Sequence, residues 1–418
     1  MTDARVLDDA PWLRSGPPAR VLALLNGDGE ETRVVGGAVR NALLGLPVGE
    51  IDIATTALPT EVVRRAKANH IKSVPTGIEH GTVTLVVDRQ PFEVTTLRED
   101  IETFGRKAKV AFGRDWKRDA ERRDFTINGL SVDANGVVHD YVGGLTDIAA
   151  RRVRFIGDAN LRIAEDYLRI LRFFRIHAAY GAGEPDRAGY LACIGGRAGL
   201  AALSAERVRM EVMKLMIAQG ASGAVAAMAE GGLLLPVFGG VAYTGPFAAM
   251  IEAERVLGLA PSAIRRLAAL AVAVTEDAKR LSVRLRLTNQ ETRTLDSMGH
   301  RWWRLAGMDE ARARRRLYRL GAERYRDRLM LAWARAGDEA NSAPWRELAT
   351  LPERWSAPKF PLKAADFVAR GIAEGPALGH VLALAEDAWL AADFPSDAPA
   401  LDAIADHTVT RFNRDHRL

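Results

Sequence analysis

The character of the sequence changes near residue 150, and this change limits the folds that the chain can adopt. Up to about residue 150, short β-branched runs such as TRVV, IDIATT and HGTVTLVV are separated by Gly, Pro and Asp. Such runs are typical of the strands of a mixed sheet. From about residue 160, stretches rich in Ala, Leu and Arg, such as LRIAEDYLRILRFFRIHAAYG, have a helical period. The sequence therefore predicts an α+β head followed by a largely helical body.

Composition and length narrow the class of protein further. The chain has 418 residues, 27% of them charged and 48% hydrophobic, which is typical of a soluble protein of several domains. It contains no uncharged apolar run of about 18 residues, and its start, MTDARVLDDAPWLRSG, does not resemble a secretory leader. We therefore expect a cytoplasmic protein with no membrane partner. A single cysteine, Cys193, excludes an internal disulfide and a Cys-rich zinc site, while the net charge of +5 permits a polyanionic partner such as nucleic acid.

A glycine pair, Gly36 and Gly37, follows the run TRVV. No GK[ST] follows and the spacing does not fit GxGxxG, so neither a P-loop nor a Rossmann turn is supported. What remains is a glycine turn into a helix N-terminus, where free N–H groups favour a phosphate. Arg40, one turn into that helix, would add a positive charge. The alternative is a tight strand-to-helix turn that binds nothing.

Two carboxylates, Glu50 and Asp52, come shortly afterwards in EIDIATT. On a strand, residues two apart point to the same face, so these side chains would converge. Two like charges on one face repel unless a cation lies between them, as in two-metal phosphoryl and nucleotidyl transfer. Glu93, in PFEVTTLR, is the best candidate for a third carboxylate from a neighbouring strand. The alternative is a polar strand face in contact with water.

Several stretches together resemble the ordered motifs of the class II tRNA nucleotidyltransferase and bacterial poly(A) polymerase family. They are GGAVRN, LLG, EIDIATTALP, PTGIEHGTVTLV, PFEVTTLR, RRDFTINGLSVD and EDYLRILRFFR, within residues 33–215. The resemblance implies that Gly36, Gly37 and Arg40 hold a triphosphate. It also implies that Glu50 and Asp52 bind two Mg²⁺ ions.

The stretch RRDFTIN supplies a second group of site residues. By resemblance, Asp124 contacts the ribose, where a carboxylate accepts from the 2′-hydroxyl and so favours a ribonucleotide. Arg122, Arg123 and Asn128 would then lie near the nucleotide, and Arg98 near its phosphates. Read without the resemblance, the paired arginines are equally a solvated charge run.

The stretch EDYLR places Asp166 and Arg169 three residues apart, which predicts neighbours on one helix face. Asp166 could accept from the amine of cytosine or adenine while Arg169 donates to the ring acceptors. Guanine and uracil present a carbonyl and a ring N–H there, with the wrong polarity, so this face could select C and A without a template. Arg172 and Arg175 continue the face and suit phosphates or the incoming strand. The alternative is a surface ion pair.

Together with these features, the resemblance implies an enzyme that adds CCA to the 3′ end of tRNA from CTP and ATP, by attack of the RNA 3′-hydroxyl on the α-phosphate with release of pyrophosphate. The stretch PTGIEHGTVTLV looks like the CCA-adding members rather than the poly(A) polymerases. The segment FGR, 104–106, resembles the family loop that helps the switch from C to A addition, and favours full CCA addition over CC-only or A-only addition.

The resemblance also predicts how the domains are arranged: an α+β nucleotidyltransferase head with a mixed sheet, then an elongated all-helical neck, body and tail. The predicted domains are 1–152 (catalytic head), 153–220 (neck with the nucleotide-selecting motif), 221–335 (RNA-binding body) and 336–418 (tRNA-binding tail). Runs such as RWWRLAG and ARARRRLYRLGAERYRDR interleave arginines with Trp and Tyr, which suits phosphates and exposed bases. Oligomeric state stays open.

Two positions depart from the family pattern. Glu50 stands where the family has the first Asp of D-x-D, and Asn41 stands where it has the Asp of G-G-x-V-R-D. Glutamate is still an oxygen ligand for Mg²⁺, so we expect an active enzyme. A non-catalytic tRNA-binding protein on the same scaffold is the rival hypothesis if Glu50 disables metal binding.

Overall fold

The structure is a computed structural model, and it describes residues 6–7, 10–104, 107–337 and 342–415. The chain divides into two compact units, Met1–Gly239 and Gly240–Leu418. Two residues of the FGR segment, Gly105 and Arg106, lie outside the described residues. In the described ranges, no helix combines the length and the apolar character needed to cross a membrane.

The first unit contains the strands found in the described residues. They are β1 (Thr32–Val35), β2 (Asp52–Thr55), β3 (Lys72–Gly77), β4 (Thr82–Val87), β5 (Gln90–Thr96), β6 (Arg98–Phe104), β7 (Lys107–Phe112), β8 (Ser131–Val132) and β9 (Val138–His139). Seven of them form a mixed sheet in the order β3-β4-β5-β2-β1-β8-β9, and β6 pairs with β7 separately. Within the seven-stranded sheet, β2 and β5 run parallel and the other neighbours antiparallel. The predicted mixed sheet is confirmed.

The first unit also contains helices, which lie between the strands along the chain and continue to the end of the unit. They are α1 (Pro11–Arg14), α2 (Pro17–Leu25), α3 (Gly37–Leu43), α4 (Pro59–Ala68), α5 (Trp116–Glu121), α6 (Gly144–Ala149), α7 (Ala159–Glu165), α8 (Leu168–Tyr180), α9 (Arg187–Gly195), α10 (Ala205–Met216), α11 (Ala221–Glu230) and α12 (Leu234–Phe238). Short 3₁₀ turns lie at Ile78–His80, Thr126–Asn128 and Arg197–Ala202. The switch from strands to helices therefore falls where the sequence predicts it.

In the described residues of the second unit, all regular secondary structure is helical. The helices are α13 (Thr244–Val256), α14 (Ala263–Ala271), α15 (Thr275–Leu285), α16 (Asn289–Gly299), α17 (Glu310–Leu320), α18 (Ala322–Ala336), α19 (Ser342–Ala349), α20 (Leu351–Arg354), α21 (Ala364–Val368), α22 (Pro376–Ala391) and α23 (Ala398–Asp415), with a 3₁₀ turn at Trp302–Leu305. The boundary between the units lies inside GGLLLPVFGGVAYTGP, a stretch rich in glycine. The four predicted domains divide the chain more finely, and their boundaries stay a prediction.

One helix predicted from the sequence is interrupted. The stretch LRIAEDYLRILRFFRIHAAYG forms two helices, since α7 ends at Glu165 and α8 begins at Leu168. Asp166 between them has an extended backbone, and its side chain accepts a hydrogen bond from the Leu168 amide at 3.1 Å. A short acceptor side chain satisfies an amide at a helix start and so favours a break there. Asp166 therefore precedes the helix that carries Arg169, and the expectation that both lie on one helix is wrong.

A cluster of aromatic rings fixes α8 to the segment that follows the sheet. Phe125 and Phe155 lie 4.9 Å apart between ring centroids, and Phe173 of α8 stacks on Phe155 at 5.3 Å. Phe174 meets Phe173 edge to face at 5.3 Å. All four rings are buried. This cluster places the residues of α8 relative to the 122–128 segment, where the sequence predicts part of the site.

We expect Phe173→Ala to lower the free energy of unfolding by about 3–5 kcal/mol, because it leaves a cavity among rings that cannot collapse freely. Urea unfolding followed by circular dichroism measures this. The control is Leu161→Ala in the neighbouring helix α7, since Leu161 is 66% exposed and should change stability by under about 0.5 kcal/mol. Equal losses in the two variants would contradict the assignment of Phe173 to the core.

Candidate active site

The glycine turn predicted from the sequence is present, and it brings Arg40 to the site. Gly36 follows β1 with φ of +71° and precedes the first residue of α3, Gly37. A Cβ on Gly36 would lie 3.2 Å from Nη1 of Arg123, so both the backbone conformation and the space favour glycine. Arg40, one turn into α3, is buried.

The contacts of Arg40 are to neutral groups. Its Nη1 donates to Oδ1 of Asn128 at 2.5 Å and its Nη2 donates to Oδ1 of Asn41 at 2.8 Å. The guanidinium carbon lies 3.7 Å from the centre of the Tyr180 ring, a cation–π contact. Burial lowers the pKa of Arg40 below its ordinary value, although an arginine stays charged in any case. The cavity wall therefore carries a fixed positive charge.

Two of the three predicted carboxylates come from neighbouring strands. Asp52 is the first residue of β2, and Glu93 lies on β5. The two strands run parallel with Ile53 opposite Val94, so Asp52 and Glu93 are at equivalent positions of the ladder and point to the same side.

Glu50 is not on the strand, contrary to the sequence prediction. The β1–β2 ladder ends with Val35 opposite Asp52, because the chain turns at Gly36 and leaves Glu50 no partner. Glu50 nevertheless lines the same cavity as Asp52. The two carboxylates are therefore brought together by a loop and a strand, and the predicted alternation on one strand is wrong.

Electrostatics around Asp52 indicate an excess of negative charge. Loss of surrounding water, the neighbouring Glu93 and, more weakly, Glu50 raise the pKa of Asp52 above its ordinary value, against the opposing charge of Arg123. The Asp52 side chain still reaches solvent. A cation placed beside these carboxylates would relieve their repulsion.

One buried carboxylate, that of Asp119, pairs with both Arg122 and Arg123 and holds them in place. Its Oδ1 accepts from Arg122, and its Oδ2 accepts from Nη2 of Arg123 at 3.0 Å. Burial acts to raise the pKa of Asp119, but the two arginines hold it below its ordinary value. The sequence analysis missed Asp119, although its spacing of three and four residues from the arginines is the signal of a helical ion pair.

A second carboxylate, that of Asp124, is mostly buried and holds Arg172 and Asn128. Its Oδ2 accepts from Nε of Arg172 at 2.7 Å, and its Oδ1 accepts from Nδ2 of Asn128 at 3.2 Å. Burial opposes ionisation, but Arg172 and the hydrogen bond from Asn128 hold the pKa of Asp124 below its ordinary value. Arg175 pairs with Glu211 of α10, another partner that the sequence analysis missed. Nothing in the local sequence links two residues that far apart.

Asp166 and Arg169 are near the same cavity but contact different partners. Oδ2 of Asp166 accepts from Nη2 of Arg207 at 2.5 Å. Nη1 of Arg169 donates to the carbonyl oxygen of Arg162 at 2.8 Å and pairs with Glu165. Hydrogen bonds to other parts of the protein therefore hold both side chains in place. Arg207 of α10 supports Asp166 directly.

Two adjoining cavities collect the predicted site residues. The first, of about 550 Å³, is lined among others by Gly36, Gly37, Arg40, Glu50, Asp52, Arg122, Arg123, Asp124, Asn128, Asp166, Arg169, Arg172 and Arg175. The second, of about 250 Å³, contains Glu93 and Arg98 and shares Asp52, Arg122 and Arg123 with the first. The structure therefore brings every predicted site residue to one of two cavities that meet at Asp52.

The residues present fit a divalent cation bound together with a ligand. In the described part of the chain, no three His, Cys, Asp or Glu side chains form a group that could hold a metal by themselves. Mg²⁺ is usually held by one or two carboxylates together with substrate phosphates, rather than by a protein cage. Glu50 and Asp52 supply such oxygens, and the arginines around the same cavity supply charges suited to a polyphosphate.

The sequence and the fold of this chain are similar to those of known proteins. The family model described as the poly A polymerase head domain matches residues 32–154. The CCA tRNA nucleotidyltransferase 1, mitochondrial, of Danio rerio is 34% identical over 374 residues, covering 86% of this chain and 83% of that protein. The CCA-adding enzyme of Limosilactobacillus fermentum is 32% identical over 377 residues, covering 87% and 90%. The crystal structure of the Bacillus stearothermophilus CCA-adding enzyme in complex with CTP matches with a TM-score of 0.71 and 25% identity, covering 96% of this chain and all of that one.

We expect Asp119→Asn to lower the free energy of unfolding by about 1–3 kcal/mol, because it leaves Arg122 and Arg123 without their shared countercharge. Urea unfolding at neutral pH gives this difference. The matched control is Asp115→Asn, at the start of the same helix α5, where Asp115 is exposed and asparagine caps a helix equally well. A loss for Asp119→Asn no larger than that of the control would contradict the bracing role.

Proposed function

Because this chain belongs to the family of CCA-adding enzymes and tRNA nucleotidyltransferases, we propose that it adds CCA to the 3′ end of tRNA from CTP and ATP. The chain is a nucleotidyltransferase, and the proposal concerns its substrates and the roles of its residues. The observation that carries the proposal is one cavity. It is lined by the carboxylates Glu50 and Asp52, by arginines and by Asp166 with Arg169.

The triphosphate is proposed to bind between the glycine turn and the arginines. Arg40, Arg122 and Arg123 line the first cavity, each with a position fixed by hydrogen bonds. Charged donors of fixed geometry bind phosphate oxygens strongly. Arg98, in the adjoining cavity, is proposed to reach the phosphates from the side of Glu93.

Base selection is proposed to use the free edges of Asp166 and Arg169. A carboxylate has about four acceptor positions, and the described contacts of Asp166 use one on each oxygen, for Leu168 and Arg207. The described contacts of Arg169 use Nη1, which leaves Nε and Nη2 to donate to a base. The two side chains can therefore meet the amine and the ring acceptor of cytosine or adenine without losing their supports.

Asp124 is proposed to contact the ribose from the same cavity. Its two oxygens accept from Arg172, from Asn128 and from the Phe125 amide, so the 2′-hydroxyl would take the place of one of these donors. Arg175, which lines the cavity beside Arg172, is proposed to contact phosphates of the nucleotide or of the RNA.

In the proposed reaction, the oxygen of the RNA 3′-hydroxyl forms a bond to the α-phosphorus, and the bond from that phosphorus to the bridging oxygen of pyrophosphate breaks. The hydroxyl proton passes to water. Glu50 and Asp52 would hold Mg²⁺, with Glu93 as the third carboxylate nearby. When bound, such ions supply a lowered pKa for the attacking hydroxyl and a countercharge for the leaving pyrophosphate. The arginines keep the triphosphate in position through the reaction.

The second unit offers a surface for the RNA backbone. A cavity of about 530 Å³ is lined by Arg304, Arg312, Arg315, Arg316 and Arg319, together with Met308, Asp387, Leu390 and Ala391. Five guanidinium groups around one cavity suit consecutive phosphates. We propose that this surface binds tRNA.

The cytoplasmic location stays a prediction, since some relatives are named as mitochondrial.

The proposal is tested by primer extension on a tRNA that ends at its discriminator base, with Mg²⁺ and with CTP and ATP alone and together. We expect growth by C, C and A that stops after three residues. A long A tail would identify a poly(A) polymerase, and growth that stops after CC or adds only A would identify a partial enzyme. Tight tRNA binding with no growth would favour the non-catalytic RNA-binding protein.

We expect Asp52→Asn to slow this addition by more than about a hundredfold, because it removes a metal-binding charge at the reacting phosphate. Single-turnover rates with saturating CTP measure the effect. The matched control is Asp158→Asn, an exposed helix-capping position that asparagine preserves. Addition by Asp52→Asn at the control rate would exclude Asp52 from the chemistry.

Replacing Arg304 and Arg316 by Gln should weaken tRNA binding and reduce its dependence on salt. Each lost phosphate contact should lower the slope of log K against log salt by about 0.7–0.9. Filter binding between low and physiological salt gives the slope. The control is Arg255→Gln, an exposed arginine of α13 in the same unit that pairs with Glu252. An unchanged slope would place RNA binding elsewhere.

A further inference from the structure

The side chain of Asn41 joins two parts of the site. Its Oδ1 accepts from Nη2 and Nε of Arg40 at 2.8 and 3.2 Å, and its Nδ2 donates to the carbonyl oxygen of Pro47 at 2.9 Å. Its own carbonyl oxygen accepts from the Leu46 amide at 2.9 Å. Asn41 therefore connects the helix that carries Arg40 to the loop that leads to Glu50.

That loop has few other supports. Among the described residues, the segment Pro47–Glu50 makes one hydrogen bond to the rest of the chain, the one from Asn41. Most of the loop is exposed, and Gly45 before it and Gly49 within it add flexibility. Regular pairing begins only at Asp52. The position of the Glu50 backbone therefore depends strongly on the contact between Asn41 and Pro47.

The chemistry of this contact requires an amide. An ionised aspartate accepts hydrogen bonds and cannot donate, so at position 41 it would face the Pro47 carbonyl with two acceptors and repel it. The same carboxylate would form an ion pair with Arg40 and neutralise a charge that faces the cavity. Asparagine avoids both effects.

The two positions that depart from the family pattern, Asn41 and Glu50, thus lie at the two ends of one loop. Glutamate places its carboxylate one methylene, about 1.5 Å, farther from the backbone than aspartate does. The contact from Asn41 to Pro47 ties the loop in a position from which this longer side chain lines the cavity with Asp52. A loop released from Asn41 would lose the hydrogen bond that ties the Glu50 backbone to the rest of the chain.

We propose that Asn41 is a positioning residue for Glu50. By holding Pro47 it sets the distance between the loop and Asp52 that the longer carboxylate requires. It also leaves the charge of Arg40 available to the ligand. The two positions act as a pair, so that changing one of them impairs the site and changing both restores it in part. This inference rests on the proposed function, because it assigns Glu50 to cation binding at the site where the triphosphate binds.

A double-mutant cycle on the full chain tests the pair, with Asn41→Asp, Glu50→Asp and the two together. Mn²⁺ is the probe, and its binding without nucleotide is followed from the electron paramagnetic resonance signal of the free ion. We expect each single change to weaken Mn²⁺ binding about tenfold. The double variant should bind at least tenfold more tightly than the product of the single effects predicts, a coupling of about 1.4 kcal/mol.

Two further measurements separate positioning from general damage. Binding of CTP in EDTA should weaken in Asn41→Asp, where the new carboxylate neutralises Arg40, and stay within about twofold in Glu50→Asp. The control is Asn69→Asp, the same chemical change at a residue whose Nδ2 donates to the Arg65 carbonyl at 3.0 Å outside both cavities. It should change neither Mn²⁺ nor CTP binding.

Additive effects in the cycle, or Mn²⁺ binding by Asn41→Asp within twofold of the parent chain, would overturn the inference. If Asn41→Asp does not fold, as judged by circular dichroism, Asn41→Ala replaces it in the cycle, since alanine removes the bond to Pro47 without adding charge. The binding measurements use no RNA. A chain that shows the coupling but adds no CCA would refute the proposed function and leave the inference standing.

Discussion

The arginines around the cavity must be charged and correctly placed before any ligand arrives, and the rest of the site depends on how the fold achieves this. Asp119 and Asp124 hold three of them from behind. In the pair of Arg122 with Asp119 the acid is 4% exposed and the arginine 22%, so the acid lies deeper and the arginine faces the cavity. Removing such a buried acid would leave its arginines uncompensated. The ion pairs therefore fix positions and preserve an outward positive charge.

Arg40 is held differently, and the difference suits a polyanion. Its described contacts are the amide oxygens of Asn41 and Asn128 and the ring of Tyr180, none of which carries a negative charge. Burial without a directly bonded carboxylate is costly for the folded chain. A bound phosphate would supply the missing countercharge. Asp52 carries the opposite charge, and loss of surrounding water together with the neighbouring carboxylates raises its pKa.

Two predictions from the sequence were wrong in the same way, because both assumed that a regular element continues. Glu50 was expected on a strand, but the strand beside it ends at Val35, where the chain must turn for the glycine pair. Asp166 was expected inside a helix, but its side chain caps the next helix instead. In both cases the residue still reaches the cavity. The place of each residue at the cavity was thus easier to predict than the backbone that carries it.

The sequence by itself determined the order of the motifs and the change from strands to helices near residue 150, because these depend on local periodicity and turn chemistry. Many residues of the two cavities were predicted from the resemblance to a known family. Only the tertiary structure decided which side chains of the site contact one another. Arg40 meets Asn128 and Tyr180, and Arg175 meets Glu211, across sequence separations that no local pattern records. Patterns read along a chain report contacts within about four residues. Contacts between distant segments exist only once the sheet, the aromatic cluster and the helices have packed together.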